Sequence, residues 1–154
     1  MEQCGVRLLV AEKPSVGAAI GAVLGAVKRR EGFMEGAGWL VSWCLGHLVE
    51  LSPPEAYDPR YSKWDYGLPI IPQEWQQSVI PETRQQYEIL AKLMNDPAVS
   101  SIVEATDAGK EGELIFRRVY QQCGCTKPVR RLWISSLGED AIREGLARLR
   151  DASE

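Results

Sequence analysis

The chain has a single histidine, no excess of positive charge and no long hydrophobic run, and each absence excludes a class of protein. His47 is the single histidine and the sequence has no G-x-S-x-G motif for a nucleophilic serine, which argues against acyl-transfer catalysis of the serine-triad type. The formal net charge is −3, so there is no overall basic surface for nucleic acid. Any contact with DNA must therefore be local or supplied by a partner domain.

The longest uncharged apolar stretch covers residues 16–27, only 12 residues, which is too short to cross a bilayer. No signal peptide opens the sequence. The 154 residues are enough for one ordinary domain with a core of its own. We therefore expect a single cytoplasmic domain, residues 1–154, that makes no contact with a membrane.

Cysteines are few and scattered, which favours reduced thiols over a disulfide framework (Cys4, Cys44, Cys123 and Cys125). The Cys123-Gly124-Cys125 sequence could form half of a metal site, but no second cysteine pair accompanies it. A helix that ends at Gly124 is the favoured interpretation.

Apolar runs alternate with amphipathic stretches along the chain. This alternation predicts an α/β fold with a mostly parallel central sheet, right-handed crossovers and flanking helices. Glycines every fourth residue in the first helix predict one face that packs closely on the sheet (Gly17, Gly21 and Gly25). Strands are predicted at 6–11, 101–106 and 129–134. Helices are predicted from 14 to about 27 and at 82–95, 111–123 and 139–150. Residues 33–51 are predicted to form an added strand-turn-strand hairpin.

Residues 52–81 have a different composition, with six of the nine prolines and many aromatic side chains. A structureless segment of this length is unusual in a compact domain. We expect an extended loop that is functional or packs over another surface. Its aromatic residues are Tyr57, Tyr61, Trp64, Tyr66 and Trp75.

Acidic residues follow two of the predicted strands. Glu12 comes directly after the first strand and Asp107 directly after the strand at 101–106, with Glu111 and Glu113 just beyond. If the two strands are neighbours, these carboxylates converge at the carboxyl edge of the sheet, where α/β folds place their sites. Oxygen ligands with no imidazole or thiolate nearby suit Mg²⁺, which takes its remaining ligands from water and phosphate. The pattern predicts phosphodiester chemistry.

Two other interpretations compete for the same residues. Asp107 could cap a helix with Glu111 as a first-turn acid, which complements the helix dipole, although Glu12 at the matching strand end favours a metal site. Gly109-Lys110 looks like the end of a P-loop, but that motif requires glycine at 104 and serine or threonine at 111, where the chain has Glu104 and Glu111.

Four ordered motifs carry a resemblance that covers nearly the whole chain. Together they resemble the Toprim (Rossmann-like) domain at the N-terminus of bacterial type IA DNA topoisomerases of the topoisomerase III kind. The motifs are LLVAEKPS (8–15), CLGHLVEL (44–51), ATDAGKEGELIFR (105–117) and RLWISSL (131–137).

The resemblance implies a role for several residues. Mg²⁺ would be held by Glu12, Asp107, Glu111 and Glu113, with Glu12 also acting as the proton-transfer group near the scissile phosphate. Lys13 would stabilise charge on that phosphate. Further phosphate or DNA contacts would come from Lys110 and His47, although a lone histidine bonded to backbone is an equally good interpretation of the latter. The short basic runs 28–30 and 130–131 could touch phosphates or form a solvated face.

Two departures from the family pattern stand out. Gly109 occupies the position of the second aspartate, and Lys110 occupies that of an arginine. Lysine acts as a point charge where arginine forks onto two phosphate oxygens. We expect weaker metal binding than in a site with all the carboxylates, with Glu111 and Glu113 carrying more of the ion.

Type IA topoisomerases cut one DNA strand through a 5′-phosphotyrosine, pass a strand and reseal it without ATP. None of this chain's five tyrosines sits in the nucleophile's motif, so the catalytic tyrosine is expected in downstream domains and the fragment alone is expected to be an inactive monomer. The implied partners are single-stranded DNA, at the nucleoid, and those downstream domains. Alternatives are the Toprim module of a primase or nuclease, and a non-catalytic recombination mediator.

Overall fold

The computed structural model describes residues 5–57, 59, 76–107 and 109–151. No helix within these ranges is long and apolar enough to cross a membrane. In chain order the elements are β1 (Val6–Ala11), α1 (Pro14–Leu24), β2 (Lys28–Arg30), β3 (Phe33–Gly36), β4 (Trp39–Trp43), β5 (Val49–Leu51), α2 (Pro54–Tyr57), β6 (Gln77–Val79), α3 (Arg84–Met94), β7 (Val99–Ala105), α4 (Lys110–Gln122), β8 (Val129–Arg131), α5 (Glu139–Ala147) and β9 (Arg150–Asp151), with a 3₁₀ turn at Pro81–Thr83 before α3.

The main sheet has seven strands in the order β2-β3-β4-β1-β7-β8-β9. Strands β4, β1, β7 and β8 are parallel, whereas β2, β3 and β9 add antiparallel edges. The predicted mostly parallel sheet with an added hairpin is confirmed. Because β1 lies between β4 and β7, the strand order reverses there, and such a reversal is where α/β sheets form ligand crevices.

Helices cover both faces of this sheet. Alternate residues of β1 point to opposite sides: Leu8 and Val10 join the core beneath α3 and α4, and Leu9 and Ala11 join the core beneath α1 and α5. All four side chains are fully buried, which is why this strand reads as a continuous apolar run.

The first helix ends earlier than predicted. It stops at Leu24 because Gly25 adopts a left-handed conformation (φ 82°) and closes the helix with a bond from its N–H to the Gly21 carbonyl. Residues 28–30, predicted as a surface charge run, form the exposed edge strand β2. The predicted packing of this face on the sheet is confirmed for Gly17, where a Cβ atom would lie 3.0 Å from the Trp43 ring of β4. At Gly21 a Cβ atom would lie 3.1 Å from the carbonyl oxygen of Ala26, in the connection that follows the helix, and 3.7 Å from Met34 on β3. Gly25, also predicted on this face, lies beyond the last helical residue.

The C-terminal elements are also shorter than predicted. Strand β8 ends at Arg131 rather than at residue 134, and α5 ends at Ala147 rather than at residue 150. The helix ends early because the chain turns back to the sheet and forms β9, a two-residue strand at 150–151 that pairs with β8. Two residues carry no periodicity from which such a strand can be predicted.

The predicted extended loop at 52–81 contains regular structure at both ends. Helix α2 opens it, and β6 pairs with β5 in a separate two-stranded sheet. The Tyr57 hydroxyl joins the two ends, since it accepts the N–H of Gln76 at 2.6 Å. Tyr61, Trp64, Tyr66 and Trp75 lie outside the described residues.

The interpretation of the Cys123-Gly124-Cys125 sequence as a helix end is confirmed. Helix α4 stops at Gln122, and Gly124 has a left-handed conformation (φ 67°). The Cys123 thiol contacts the Met94 sulfur at 3.6 Å, and Cys125 is buried in the core beside α3 and α4. Both thiols therefore take part in the packing between α3 and α4.

Candidate functional site

Two predicted site residues meet where the central strands end. β1 and β7 are parallel neighbours with Ala11 opposite Ala105, so Glu12 and Asp107 leave the sheet side by side. The backbone N–H of Asp107 donates to Glu12 Oε2 at 3.2 Å. The predicted convergence is therefore confirmed for these two carboxylates.

The ionisation of Glu12 reflects this neighbourhood. Partial burial is the main cause that raises the pKa of Glu12, and the Asp107 carboxyl raises it further by side-chain hydrogen bonding and charge repulsion. The Asp107 N–H and the charge of Lys13 oppose this rise. A cation between the two carboxylates would remove the repulsion.

The other two predicted metal ligands have different partners. Glu111, exposed in the first turn of α4, lies with Oε1 3.5 Å from His47 Nε2. Glu113 lies 3.7 Å from Arg117 and 3.8 Å from Arg131. Across the part of the chain that the structure describes, no three histidine, cysteine, aspartate or glutamate side chains form a group that could hold a metal ion. The predicted four-carboxylate set thus divides into a pair, Glu12 with Asp107, and two acids with basic partners.

The N-terminus of α4 decides the interpretation of Asp107 as a helix cap. The N-cap residue is Gly109, with extended backbone and no capping side chain, so Asp107 lies before the cap and that interpretation is wrong. Gly112 packs against the backbone of Asp107: a Cβ atom there would fall 2.9 Å from Asp107 N and closer still to its carbonyl oxygen. At Gly109 a Cβ atom would meet nothing within 4 Å. The aspartate that the family pattern places at 109 would therefore fit.

Both lysines predicted at the phosphate are exposed. Lys13 is the N-cap residue of α1 and follows Glu12 directly, and Lys110 opens α4. The carboxylate pair is thus flanked in sequence by one cation at each strand end. Their positive charges would attract an anionic ligand to this edge of the sheet.

His47 stands beside the site rather than within the carboxylate pair. Its side chain is partly buried, Nε2 faces Glu111, and Nδ1 is buried with no hydrogen-bond partner among the described residues. Within the described residues, neither ring nitrogen of His47 is therefore seen bonded to the backbone, unlike in the alternative interpretation. Whether His47 contacts DNA stays a prediction.

A buried ion pair beneath the site was missed by the sequence interpretation. Glu104 on β7 and Arg131 on β8 lie 3.3 Å apart, and the second guanidinium nitrogen of Arg131 donates to the carbonyl oxygen of Asp107 at 3.2 Å. Arg131 was predicted as part of a phosphate-binding or solvated run, yet it is buried. The available signal was the strand itself, because alternation places residues 130 and 131 on opposite faces.

A cysteine also approaches the site. The Cys44 N–H donates to the Ala11 carbonyl at 2.9 Å, and its side chain is fully buried. Burial, with smaller contributions from the charges of Glu12 and Glu104, raises the pKa of the Cys44 thiol to about 12. The thiol stays protonated near neutral pH and is not a nucleophile.

The donor set of the pair fits Mg²⁺. Two carboxylates supply hard oxygen ligands. Behind burial, the Asp107 carboxyl contributes to the raised pKa of Glu12, and a cation between the two groups would relieve that repulsion. Mg²⁺ is usually bound by one or two carboxylates plus phosphate, so this pair is sufficient in number.

Comparison with known proteins assigns the fold to a family. Residues 7–137 match the Toprim domain. The chain belongs to the Toprim domain family. Within it, the chain is 44% identical over 147 residues to DNA topoisomerase 3 of Staphylococcus epidermidis, 44% over 145 residues to that of Staphylococcus saprophyticus, and 42% over 144 residues to that of Bacillus thuringiensis.

These matches take up 95%, 94% and 93% of this Toprim chain but only 21%, 20% and 20% of the relatives. The chain therefore spans about one fifth of their length. Among solved structures, full-length topoisomerase I from Thermotoga maritima superposes with a TM-score of 0.60 at 20% identity, over 94% of this chain and 21% of that one, which is a likeness of fold. The predicted resemblance to topoisomerases of the topoisomerase III kind is confirmed.

Proposed function

We propose that this chain is the Mg²⁺-binding Toprim module of a type IA DNA topoisomerase of the topoisomerase III kind. The observation that carries the proposal is the hydrogen-bonded approach of Glu12 and Asp107 at the ends of neighbouring parallel strands. The similarity to proteins named DNA topoisomerase 3 supports it and favours it over a primase or nuclease module.

In this proposal the whole enzyme relaxes or decatenates DNA by transient cleavage of one strand, without ATP. A tyrosine hydroxyl from another domain loses its proton as its oxygen attacks the phosphorus, the bond from phosphorus to the 3′-oxygen breaks, and that oxygen takes up a proton to become a free hydroxyl. Glu12 is proposed to carry that proton, because its carboxylate lies at the end of β1 beside Asp107 and directly before Lys13. Lys13, next to it, stabilises negative charge on the phosphate.

The metal would be held by Glu12 and Asp107, with remaining ligands from water and phosphate. When bound, Mg²⁺ supplies positive charge that orients and neutralises the phosphate. Lys110, at the start of α4, is proposed as a further DNA phosphate contact, with His47 beside it. Glu111 and Glu113 are proposed as outer groups, since both already face basic side chains.

The alternative of a non-catalytic Toprim scaffold has one observation in its favour. Within the described residues no group of three metal-ligating side chains exists, and Gly109 supplies no carboxylate. Metal binding by the chain itself separates this alternative from the proposal.

The test is a Mg²⁺ titration of the 154-residue chain followed by backbone amide NMR shifts. We expect saturable shifts centred on Glu12 and Asp107 at millimolar Mg²⁺. The shifts should disappear in Asp107→Asn, which preserves size but removes the anionic ligand.

The matched control is Glu88→Gln, which removes one negative charge from the exposed surface of α3, where Glu88 lies 3.3 Å from Arg84. It should leave the titration unchanged. Equal weakening in both variants would mean diffuse charge attraction, and no localised shift in the unaltered chain would favour the scaffold.

The DNA contact is tested by fluorescence anisotropy of a labelled single-stranded oligonucleotide with Mg²⁺ present. Lys13→Met and Lys110→Met should each weaken binding and reduce its salt dependence, because each removes a phosphate contact. Lys92→Met on α3 is the control for loss of one surface charge. Equal effects in all three would argue against a local DNA site.

A further inference from the structure

Glu104 and Arg131 form a pair that the sheet itself aligns. Strands β7 and β8 are parallel, with Glu104 directly opposite Arg131 in the register. Their side chains are 1% and 10% exposed, and Glu104 Oε1 lies 3.3 Å from Arg131 Nη1. The Thr106 hydroxyl, also buried, donates to the same oxygen at 3.1 Å.

Arg131 reaches from this pair into the candidate site. Its Nη2 donates to the backbone carbonyl of Asp107 at 3.2 Å, and its Nη1 lies 3.8 Å from a carboxylate oxygen of Glu113. One guanidinium thus contacts the strand interior, the peptide that carries Asp107, and the first turn of α4. The planar fork of arginine can do this, and the single ammonium of lysine cannot.

These contacts occur where the backbone ladder stops. The last described ladder bond between β7 and β8 runs from the Leu132 N–H to the Glu104 carbonyl at 2.9 Å, and α4 begins only at Gly109 as its N-cap. Between them, the Asp107 peptide is fixed by side chains: Glu12 accepts its N–H and Arg131 binds its carbonyl. The position of the Asp107 carboxylate therefore depends on a residue 24 positions away in sequence.

We propose that Arg131, anchored by Glu104, is a positioning residue that holds Asp107 in place for metal binding. The inference rests on the proposed function for its metal readout but has a second readout that does not need metal. In this proposal the Glu104–Arg131 pair fixes the position of the Asp107 carboxylate, whereas an ion pair with a purely structural role would contribute only to the stability of the fold.

A structural role predicts something different. A buried ion pair can often be replaced by well-packed apolar residues without loss of stability, whereas removal of one partner leaves an uncompensated buried charge. The double variant Glu104→Met/Arg131→Met therefore separates the two roles. It removes both charges together, puts an unbranched apolar side chain at each position, and takes away the donor to the Asp107 carbonyl.

The experiment measures amide hydrogen exchange by NMR together with the Mg²⁺ titration of the whole chain. In the double variant we expect the Asp107 N–H to exchange about tenfold faster or more, and Mg²⁺ to bind about 10–100-fold more weakly, the usual effect of losing an outer partner. The N–H of Val103, in the buried interior of β7, should keep its protection and so report an intact fold.

Two further variants complete the design. Arg131→Lys keeps the charge but not the fork, so it should retain the fold and still free the Asp107 N–H. Arg30→Met/Glu35→Met removes an exposed pair across β2 and β3 and should change neither readout at Asp107.

The result that overturns the inference is a folded double variant in which Asp107 exchanges and binds Mg²⁺ as in the unaltered chain. If the double variant does not fold, Arg131→Lys decides by the same exchange measurement. If the unaltered chain binds no Mg²⁺, the proposed metal function falls, while the exchange of Asp107 still decides the role of Arg131.

Discussion

The central sheet contains two arginine–glutamate pairs that connect neighbouring strands, one exposed and one buried. Arg30 and Glu35 join the edge strands β2 and β3, with the guanidinium 2.6 Å from the carboxylate and side chains 46% and 31% exposed. Arg131 and Glu104 join β8 and β7 at 3.3 Å inside the fold. The closer pair is the one that water screens, so distance alone does not rank their importance.

The two glutamates respond to their arginines in opposite directions. The hydrogen bond from Arg30 is the main cause that lowers the pKa of Glu35. Burial is the main cause that raises the pKa of Glu104, although the charge of Arg131 opposes it. The lesson is that at the edge of this sheet the partner dominates, and in its interior the loss of water dominates.

Among variants that test the difference between the two pairs, Arg131→Leu is expected to lower the free energy of unfolding the most. It leaves Glu104 buried without its cation, which destabilises folded proteins by about 3–5 kcal/mol. Urea unfolding followed by circular dichroism measures this. The matched change at the exposed pair, Arg30→Leu, should leave the unfolding midpoint almost unchanged, and equal losses in the two variants would contradict the contrast.

Two glycines of the site also differ in their surroundings: Gly112 is closely packed, and Gly109 is open to solvent. Gly112→Ala places a methyl group against the Asp107 backbone and should destabilise the chain by about 1–3 kcal/mol, as overpacking does. Gly109→Ala meets nothing within 4 Å and should stay within about 0.5 kcal/mol of the unaltered chain. Thermal unfolding of both variants checks the difference, and a larger loss for Gly109→Ala would show that the packing is misassigned.

The open space at Gly109 also allows a test of metal binding. Gly109→Asp restores a carboxylate beside the pair formed by Glu12 and Asp107, and we expect Mg²⁺ to bind about tenfold more tightly, or ~1.4 kcal/mol. Isothermal titration measures it. Gly109→Asn, of the same size but uncharged, is the control, and equal affinity in both variants would mean that residue 109 does not face the ion.

The opposite pKa directions predict opposite dependences of stability on pH. Because its folded pKa is raised, the contribution of Glu104 is present at low pH and is lost as the pH rises through that folded pKa. For Glu35, whose folded pKa is lowered, the contribution is present above the ordinary glutamate range and is lost as the pH falls through the lowered value.

Urea unfolding midpoints measured across a pH series test these two dependences of stability on pH. Glu104→Gln should flatten the curve on the side of rising pH, and Glu35→Gln should flatten it in acid. The effect of Glu35→Gln should be the smaller because that pair is exposed to solvent. Flattening on the same side in both variants would refute the assignment.

Much of the fold could be predicted from the sequence because the signal was local. The apolar run at 6–11 gave β1 with its observed bounds, and the acids that follow two apolar runs predicted that Glu12 and Asp107 would meet. That second step needed one assumption, that β1 and β7 are neighbours, and the sheet order supports it.

What could not be predicted depends on partners distant in sequence. The 3.8 Å approach of Glu113 to Arg131 joins α4 to β8 and had no local signal in the sequence, while the assignment of Glu113 to the metal stays a prediction. The burial of Arg131 follows from two neighbours, β7 on one side and the short strand β9 on the other, and β9 has no sequence signal of its own.

The hydrogen bond between Asp107 and Glu12 joins residues 95 positions apart, and this has a consequence for synthesis. At usual ribosomal rates, Glu12 precedes Asp107 by roughly 5–20 s. During that interval β1 can already pair with β4, whereas its opposite edge stays open until β7 is made. An open, largely apolar strand edge is a template for wrong pairing between chains. The strand that later aligns the site is therefore, in the nascent chain, an unpaired edge open to association with other chains.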